Sequence, residues 1–500
     1  MDIAYLLRRA GREFPTTPAV DDGSSQRTLR ELIARGERLA NAFDDLDVPE
    51  GGSVGVLSGN RTEYIETDVA IALGRRVRVA LNARLHLDDH RYVAQDAQMR
   101  VLFHSEEHAE TAAALHDELG IRTVCFDRGD DAGPWYGSLI DDADGDVRVR
   151  SDDPEAPLWI TYTSGTTGRP KGVVLSHRSL REVAFNLLLE FGPVEPGEQL
   201  VLTQALSHGA GYFVLPYLLR GAGLYVCPTF DPDQVWSISQ RENIRTLKAV
   251  PAMLPPLLER TGGQWGYENI IYGASPIPLP VLEGAVERFG PTLQQLYGQT
   301  EAPMTISCLH KQDHLLDEPR LSAGRPWRTV AVEIRDENGR VEPGELGEIH
   351  VRGTHLMSGY HQKPDATAEV FVDGWIATKD MAKTDERGFI YLQGRLDEMI
   401  NSGGYNIAPR EVEDVLVDHR GVEEVVVFGL PDPRWGQAVT AVVRPGAGGI
   451  ADPQELIDFA RPRLGMRTPK RIIVRQEIPR TPYGKVDRVA LRQDIEDPQP

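Results

Sequence analysis

The chain has 500 residues, of which 41% are hydrophobic and 26% are charged, and its formal net charge is −21. This composition is ordinary for a globular protein of more than one domain, and the acidic charge disfavours a duplex nucleic-acid partner. No apolar run reaches 18 residues, the first residues lack a secretory pattern, and the three cysteines lack metal-ligand spacing. We therefore expect a cytoplasmic protein with reduced thiols and no integral membrane segment.

Strand and helix patterns alternate up to Thr329. Leu29 to Phe43 has helical apolar spacing, and short buried-strand patterns stand at 53–57, 122–126, 223–227 and 246–250. Such alternation predicts a layered α/β core with a parallel sheet.

The pattern then becomes β-rich. Alternating apolar and polar residues at 330–335 and 347–352, with a turn at 337–339, predict a half-exposed antiparallel sheet. Beyond Gly394 we expect a small α+β domain of about 100 residues. Its predicted helices are 409–418 and 452–464, and its predicted strands are 424–428, 438–444 and 471–475.

Residues 161–177, TYTSGTTGRPKGVVLSH, predict a loop that cradles phosphate. The stretch offers hydroxyls, glycine backbone amides and one ammonium group, from Ser164, Gly165, Thr166, Thr167, Gly168 and Lys171. A Walker-type P-loop needs glycine before its lysine and Ser or Thr after it. Pro170 and Gly172 occupy those positions, so a P-loop kinase or ATPase is disfavoured.

A basic stretch stands out against the acidic chain. Residues 461–492 hold ten Lys and Arg residues and two acids, Glu477 and Asp487. The stretch is either a solvated surface or a contact for a polyanionic small molecule, and both interpretations remain open.

Seven segments together resemble the adenylate-forming superfamily, in particular its acyl- and aryl-CoA synthetases. In chain order they are residues 162–172, 207–211, 272–276, 297–301, 374–380, 394–413 and 479–485. Several in-order matches are far more specific than one short motif. The resemblance implies a large N-terminal ATP- and acyl-binding domain at 1–394, a hinge at 395–398 that contains Asp397, and a mobile lid domain at 399–500.

The resemblance also implies a reaction in two halves. A carboxylate attacks the α-phosphorus of ATP and releases pyrophosphate, and a thiol then attacks the acyl-AMP and releases AMP. ATP, Mg²⁺ and coenzyme A are the implied small molecules.

Site residues carry over position by position. The implied catalytic residues are Lys485, His208, Thr300 and Glu301, and Glu301 and Thr166 are the implied metal ligands. ATP or AMP contacts are Thr163, Ser164, Gly165, Thr166, Thr167, Gly168, Lys171, Gly273, Ala274, Ser275, Tyr297, Gly298, Asp380 and Arg395. Coenzyme A contacts are Ser402, Gly403, Gly404, Arg434, Trp435 and Lys470. The acyl pocket comprises Phe185, Gly209, Ala210, Tyr212, Val250 and Met304.

Two positions depart from what relatives carry. Amino-acid-activating relatives have an aspartate inside the acyl-pocket motif, and residues 206–213 contain no acid. The expected substrate is therefore an aromatic, alicyclic or fatty acid without an α-amino group. The usual ribose motif T-G-D reads Thr378-Lys379-Asp380 here. Lys379 points to solvent, which we favour because lysine side chains reach water readily, or it disturbs the nucleotide site, or it pairs with Asp380.

The predicted function is that of an ATP-dependent acyl-CoA ligase. Two alternatives stay open: an enzyme that loads a carrier protein's phosphopantetheine, and a protein that only converts a supplied acyl-adenylate. A homodimer is also left open, because the sequence does not define the oligomeric state.

Overall fold

The computed structural model describes residues 2–127, 135–146, 148, 153–163, 169–261, 265–446, 452–480 and 486–496. The chain forms two compact units. The first comprises Met1–Val332 and Val351–Ile376, and the second comprises Glu333–His350 and Ala377–Pro500. This division differs from the predicted boundary at residues 394 and 395, and a hinge at Asp397 remains a prediction.

The α-helices of the described residues occur in both units. They are α1 Ile3–Glu13, α2 Leu29–Asp45, α3 Thr62–Gly74, α4 Leu87–Asp96, α5 Ala109–Leu119, α6 Tyr136–Asp142, α7 His177–Glu190, α8 Val214–Leu219, α9 Pro232–Ile238, α10 Leu254–Leu258, α11 Leu279–Phe289, α12 Pro364–Val370, α13 Pro409–Val417, α14 Pro453–Leu464 and α15 Arg488–Glu496. Among the described residues, every helix is too short or too polar to cross a lipid bilayer.

The strands are shorter and more numerous. They are β1 Pro18–Asp21, β2 Gln26–Thr28, β3 Ser53–Leu57, β4 Val77–Ala80, β5 Val101–His104, β6 Arg122–Cys125, β7 Pro157–Thr163, β8 Lys171–Ser176, β9 Gln199–Leu202, β10 Gly223–Val226, β11 Ile244–Ala249, β12 Asn269–Gly273, β13 Leu293–Tyr297, β14 Ser307–Leu309, β15 Arg325–Pro326, β16 Ala331–Asp336, β17 Gly339–Arg340, β18 Gly347–Arg352, β19 Gly359–Tyr360, β20 Phe371–Val372, β21 Trp375–Thr384, β22 Ile390–Arg395, β23 Ile400–Ser402, β24 Tyr405–Ile407, β25 Val422–Asp432, β26 Gly436–Pro445 and β27 Arg471–Val474.

Two largely parallel sheets form the first unit. One has nine strands in the order β15-β14-β13-β12-β11-β9-β10-β1-β2, and the other has seven in the order β19-β8-β7-β4-β3-β5-β6. Central strands such as β3, β9 and β10 are buried at every residue. A strand covered on both faces needs a continuous apolar run, which is the pattern that predicted β3 and β10.

Local chemistry fixes where a helix begins. Thr28 and Glu31 form a capping box at the start of α2, where the Glu31 backbone N–H donates to Thr28 Oγ1 (3.3 Å) and the Thr28 N–H donates to Glu31 Oε2 (2.8 Å). Such reciprocal bonds satisfy donors that a helix start otherwise leaves unpaired. The helix predicted at 29–43 is therefore confirmed, with two further residues at its C-terminal end.

The second unit contains the predicted β-rich segment and the predicted α+β segment. A six-stranded sheet has the order β17-β16-β18-β21-β20 with β22 beside β21, and most residues of β16, β18 and β21 belong to this unit. A five-stranded sheet has the order β24-β23-β26-β25, with β27 parallel to β26. Its core packs Val427, Ala441 and Leu456 together. The predicted α/β class with a small α+β domain is confirmed.

Candidate active site

The predicted phosphate loop connects two antiparallel strands. Thr163 ends β7, Lys171 begins β8, and the two residues pair across the ladder. Ser164, Gly165, Thr166, Thr167 and Gly168 lie outside the described residues. The sheet thus sets the positions of both ends of the loop, residues 164–170.

A hydrogen-bonded group on α4 contacts both sides of this loop. Tyr162 Oη donates to Asp96 Oδ2 (2.6 Å), and Lys363 Nζ donates to Asp96 Oδ1 (2.9 Å). Tyr92 Oη donates to the Pro170 carbonyl oxygen (2.9 Å), and Lys363 Nζ lies 3.5 Å from Tyr92 Oη. Burial and the Asp96 carboxylate hold the pKa of Tyr162 well above its ordinary value. We name Tyr92, Asp96, Tyr162 and Lys363 the loop clamp. The sequence analysis missed all of them except Tyr162, which lies within the loop motif.

Glu301 lies beside an aromatic residue that the sequence analysis also missed. Tyr360 Oη donates to Glu301 Oε1 (2.7 Å), and the Met357 N–H donates to the Glu301 carbonyl (2.9 Å). Tyr360 pairs with Val173 of β8, and Lys171 Nζ lies 5.0 Å from the centre of its ring. Two predicted site residues, Lys171 and Glu301, are therefore linked through Tyr360. In sequence, Glu301 and Tyr360 are 59 residues apart, and no local pattern indicates the contact.

The predicted adenine segment lies at the carboxyl ends of two neighbouring parallel strands. Gly273 ends β12, Tyr297 ends β13, and Gly273 pairs with Leu296. A Cβ on Gly273 would lie 2.3 Å from the Leu296 carbonyl oxygen, so only glycine fits there. Ala274 has φ +72°, a left-handed conformation that is uncommon for alanine. Strained residues at strand ends cluster at ligand sites. Ser275, Gly298 and Thr300 lie in the same two post-strand segments.

The predicted ribose residues face each other across a strand pair. Asp380 of β21 pairs with Arg395 of β22, and Arg395 Nη1 donates to Asp380 Oδ1 (3.1 Å). Arg395 Nε also donates to Asp397 Oδ1 (3.4 Å). An ionised carboxylate accepts hydrogen bonds only, so a positioned Asp380 can accept from hydroxyl groups of a ligand.

Lys379 is exposed, which confirms the expectation that it points to solvent. Its φ is +61°, and its backbone N–H donates to Glu348 Oε1 (2.7 Å). This left-handed backbone gives a physical reason for the glycine of the usual motif. The replacement keeps the backbone conformation and adds the steric strain of a Cβ atom.

Replacing Lys379 with glycine is expected to raise the free energy of unfolding by about 1 kcal/mol, because the strain of a left-handed non-glycine residue is removed. Urea unfolding of the whole chain measures this. Lys379→Ala is the control, since it removes the charge and retains the Cβ atom. An equal gain in both variants would assign the effect to charge and contradict the argument from backbone strain.

The acyl-pocket motif forms a tight turn before α8. Ser207 Oγ lies 2.7 Å from His208 Nδ1, and Ala210 is fully buried. A Cβ on Gly209 would lie 3.0 Å from Met304 Cε, so these two predicted pocket residues are neighbours. Tyr212 is buried, Val250 is half-buried just after β11, and Phe185 on α7 is 42% exposed. The shared pocket of all six residues remains a prediction.

A buried ion pair lies behind this motif, and the sequence analysis did not find it. Arg78 Nη1 donates to Asp68 Oδ2 (2.8 Å), and their side chains are 1% and 7% exposed. The Arg78 guanidinium carbon lies 3.4 Å from the centre of the Trp159 ring, and that ring lies 5.1 Å from Tyr212. A Cβ on Gly211 would lie 3.3 Å from Arg78 Nη1. The pair therefore supports the turn from its buried side.

In the second unit, four of the predicted coenzyme A residues come together around an indole. The Gly403 N–H donates to the Trp435 carbonyl oxygen (2.8 Å), and a Cβ on Gly403, which has φ +61°, would lie 3.0 Å from Trp435 Cε3. Arg434 Cζ and Lys470 Nζ lie 4.8 Å and 5.1 Å from the centre of the Trp435 ring. Burial and the guanidinium groups of Arg434 and Arg461 lower the pKa of Lys470. We name Gly403, Arg434, Trp435 and Lys470 the indole cluster.

The flanking residues complete the loop at this cluster. Ser402 is buried and pairs with Gly436, and Gly404 has φ +84°. Lys485 lies outside the described residues, so its role stays a prediction. The described residues contain no group of three or more His, Cys, Asp or Glu side chains that could hold a metal ion by themselves.

Comparison with known proteins identifies relatives over the whole chain. A model of the AMP-binding enzyme family matches residues 7–361, and a model of the AMP-binding enzyme C-terminal domain matches residues 411–485. The medium/long-chain-fatty-acid–CoA ligase FadD8 of Mycobacterium tuberculosis is 35% identical, with 98% of this chain and 89% of the relative covered. A feruloyl-CoA synthase of Amycolatopsis sp is also 35% identical, with 98% of both chains covered.

A solved structure shares the fold. The amide bond synthetase McbA from Marinactinospora thermotolerans superposes with a TM-score of 0.90 at 28% identity, with 99% of both chains covered.

Proposed function

The chain belongs to the AMP-binding enzyme family and is an ATP-dependent, AMP-forming ligase, and from that premise we propose that it is an acyl-CoA ligase. It joins a carboxylic acid without an α-amino group to AMP and then to coenzyme A. FadD8 is named for fatty acids and the Amycolatopsis enzyme for an aromatic acid, so both classes belong in a substrate panel.

In the adenylation half, the acid's carboxylate oxygen attacks the α-phosphorus and pyrophosphate leaves. The phosphate loop and Lys171 hold the departing phosphates, Thr300 donates to the α-phosphate, and Lys485 bridges the two reactants. Positioning and charge stabilisation account for most of the catalysis in such reactions. Asp380 and Arg395, whose side chains are 3.1 Å apart, would hold the ribose.

Mg²⁺ fits the carboxylate of Glu301. Mg²⁺ in phosphoryl-transfer sites takes one or two protein carboxylates and fills its remaining positions with phosphate oxygens and water. Glu301 and Thr166 would supply the protein ligands, and the ion would neutralise phosphate charge. Tyr360 orients the Glu301 carboxylate through its 2.7 Å hydrogen bond.

The indole cluster is the observation that carries the choice of acceptor. It presents an aromatic face, two cationic side chains and a side-chain-free loop at one place. Coenzyme A needs each of these: a surface for adenine, cations for three phosphates and a narrow path for pantetheine. Its thiol attacks the acyl carbon, and AMP leaves.

An acceptor assay tests the proposal. The protein is given ATP, Mg²⁺ and each acid of a panel, and AMP release is measured with coenzyme A, pantetheine, ammonia or a phosphopantetheinylated carrier protein. We expect the lowest KM for coenzyme A and a KM at least about tenfold higher for pantetheine, which lacks the phosphates that the indole cluster would bind. If AMP release were faster with the carrier protein or with ammonia than with coenzyme A, coenzyme A would not be the acceptor.

The loop clamp leads to a prediction for the first half-reaction alone. Asp96→Asn removes the negative charge of the carboxylate to which Lys363 and Tyr162 both donate. A hydrogen bond to a charged group contributes about 1.5–3 kcal/mol. We expect acid-dependent ATP–pyrophosphate exchange to fall about 10- to 100-fold with a raised KM for ATP. Conversion of a synthetic acyl-adenylate by coenzyme A should be unchanged, because that step contains no β- or γ-phosphate.

Asp88→Asn is the matched control, since Asp88 lies on the same helix with its side chain 92% exposed. Equal loss of both half-reactions in Asp96→Asn would mean that Asp96 maintains the fold and does not position the loop.

A further inference from the structure

Lys248 is a fully buried lysine in the central region of the nine-stranded sheet. It lies on β11 between β9 and β12, and 1% of the residue is exposed. Its Nζ donates to the carbonyl oxygen of Ala249 (3.0 Å) and lies 5.6 Å from the centre of the Phe213 ring. An ammonium group has three N–H donors, so one backbone carbonyl leaves two of them for other partners.

The described part of the chain offers this amine no carboxylate partner. Among the residues that the structure describes, no Asp or Glu carboxylate acts on Lys248, and burial alone lowers its pKa to about 7. A buried ammonium group is strongly unfavourable unless an anion pairs with it. The Phe213 ring favours the protonated form, because the ring face carries negative charge density.

The position of Lys248 relates it to the acyl pocket. It is two residues before Val250, and Phe213 is the last residue of the stretch 206–213 that forms the acyl-pocket turn. Its contact with the Ala249 carbonyl directs Nζ toward the carboxyl end of β11. Ligands of open α/β sheets bind at the carboxyl ends of the parallel strands.

We propose that Lys248 pairs with a second carboxylate at the far end of the substrate acid, so that the enzyme selects a dicarboxylic acid and activates its other carboxylate. This inference rests on the proposed acyl-CoA ligase function and adds a substrate class to it. The bound carboxylate supplies an anion that the described residues do not, and it accepts from the two remaining N–H groups of Lys248.

Matched acids of equal length test the inference. The acids of the panel carry a carboxylate, a carboxamide or a methyl group at the far end of an aliphatic or aromatic frame. ATP–pyrophosphate exchange gives kcat/KM for each acid. We expect the wild type to prefer the carboxylate-ended acid by about 10²-fold or more over the methyl-ended one, because the partner of a buried charge is lost. Lys248→Met should remove or reverse that preference.

Lys311→Met is the matched control. Lys311 is a partly buried lysine of the same unit whose Nζ also donates to a backbone carbonyl, that of Glu268 (2.8 Å). Its substitution should leave the ratio between the acids unchanged. Lys248→Gln, which keeps an N–H donor and lacks the charge, should lose the preference as well and serves if the methionine variant does not fold.

The pH dependence of kcat/KM distinguishes recognition of the carboxylate by Lys248 from a purely structural role of Lys248. In the free enzyme Lys248 loses its proton above about pH 7. The kcat/KM for the carboxylate-ended acid should therefore fall above that pH relative to the methyl-ended acid, and this relative fall should be absent in Lys248→Met. Wild-type preference for a methyl-ended or carboxamide-ended acid, or an unchanged ratio in Lys248→Met, would overturn the inference.

A binding measurement keeps the inference testable if the proposed function fails. If no acid supports exchange, the adenylation half of the proposed function is wrong. The carboxylate-ended acid should still raise the melting temperature of the wild type and not that of Lys248→Met. Equal shifts in both proteins, or a shift in neither, would overturn the assignment of Lys248.

Discussion

Replacing Lys485 with alanine is expected to slow acid-dependent ATP–pyrophosphate exchange by about 10²- to 10³-fold. A unit charge about 4 Å from a reacting group contributes roughly 4 kcal/mol at an effective dielectric constant of 20. The alanine variant would lose that interaction with both the acid's carboxylate and the α-phosphate, where negative charge develops. The thioester-forming step from a synthetic acyl-adenylate should retain its rate, because no bond to phosphorus forms in it.

The control is Lys311→Ala, which removes one positive charge from a residue outside the candidate site. Exchange and thioester formation should both match the wild type in this variant. A Lys485→Ala protein that keeps full exchange activity would contradict the role of Lys485. Loss of both half-reactions together would indicate that the substitution disturbs the fold.

The second large effect is expected at the buried ion pair, in stability. Asp68→Leu leaves the Arg78 guanidinium charged and 1% exposed, and removal of one partner of a buried pair costs about 3–5 kcal/mol. The double variant with Asp68→Leu and Arg78→Met should recover most of that loss, because two apolar groups replace the pair. Urea unfolding of the wild type, Asp68→Leu, Arg78→Met and the double variant gives the coupling free energy between the two residues. A double variant no more stable than the worse single one would contradict this.

The two single variants should differ in their response to pH. Burial raises the pKa of Asp68 to about 6 even with Arg78 beside it. Without Arg78 this pKa rises further, so in Arg78→Met the carboxyl group can take up a proton at pH 5 at little cost, whereas at pH 8 the unfolded state favours the ionised carboxylate. A raised folded-state pKa makes the group's contribution to stability decline as pH rises through it, so Arg78→Met should be destabilised more at pH 8 than at pH 5. The free energy of unfolding of Asp68→Leu should lack this decline with pH, because the titrating carboxyl group is gone and arginine does not titrate in this range.

The parts of the structure that the sequence predicts well are those in which neighbouring residues act together. The strands at 53–57 and 223–227 are short apolar runs between polar turns, and burial on both faces requires that pattern. Asp380 and Arg395 could each be identified from their own motifs. Their 3.1 Å contact depends on the pairing of β21 with β22, which the motifs do not specify.

Contacts between distant segments could not be predicted. Asp96 meets Tyr162 across 66 residues of sequence, and Asp96 occupies an ordinary polar position at the end of a helix. Lys248 lies in a segment that the apolar pattern identified correctly as a strand. A single lysine in such a pattern ordinarily indicates an exposed position, and only the packed sheet shows that this one is buried.

The antiparallel pairing of Thr163 with Lys171 has a thermodynamic consequence for nucleotide affinity. Bringing the two ends of a chain segment together reduces its conformational entropy, and this reduction must be offset at folding or at binding. Here the sheet joins the ends of residues 164–170 when the protein folds. The loop-closure entropy is therefore part of the folding free energy, and the free energy of the proposed phosphate binding does not have to include it.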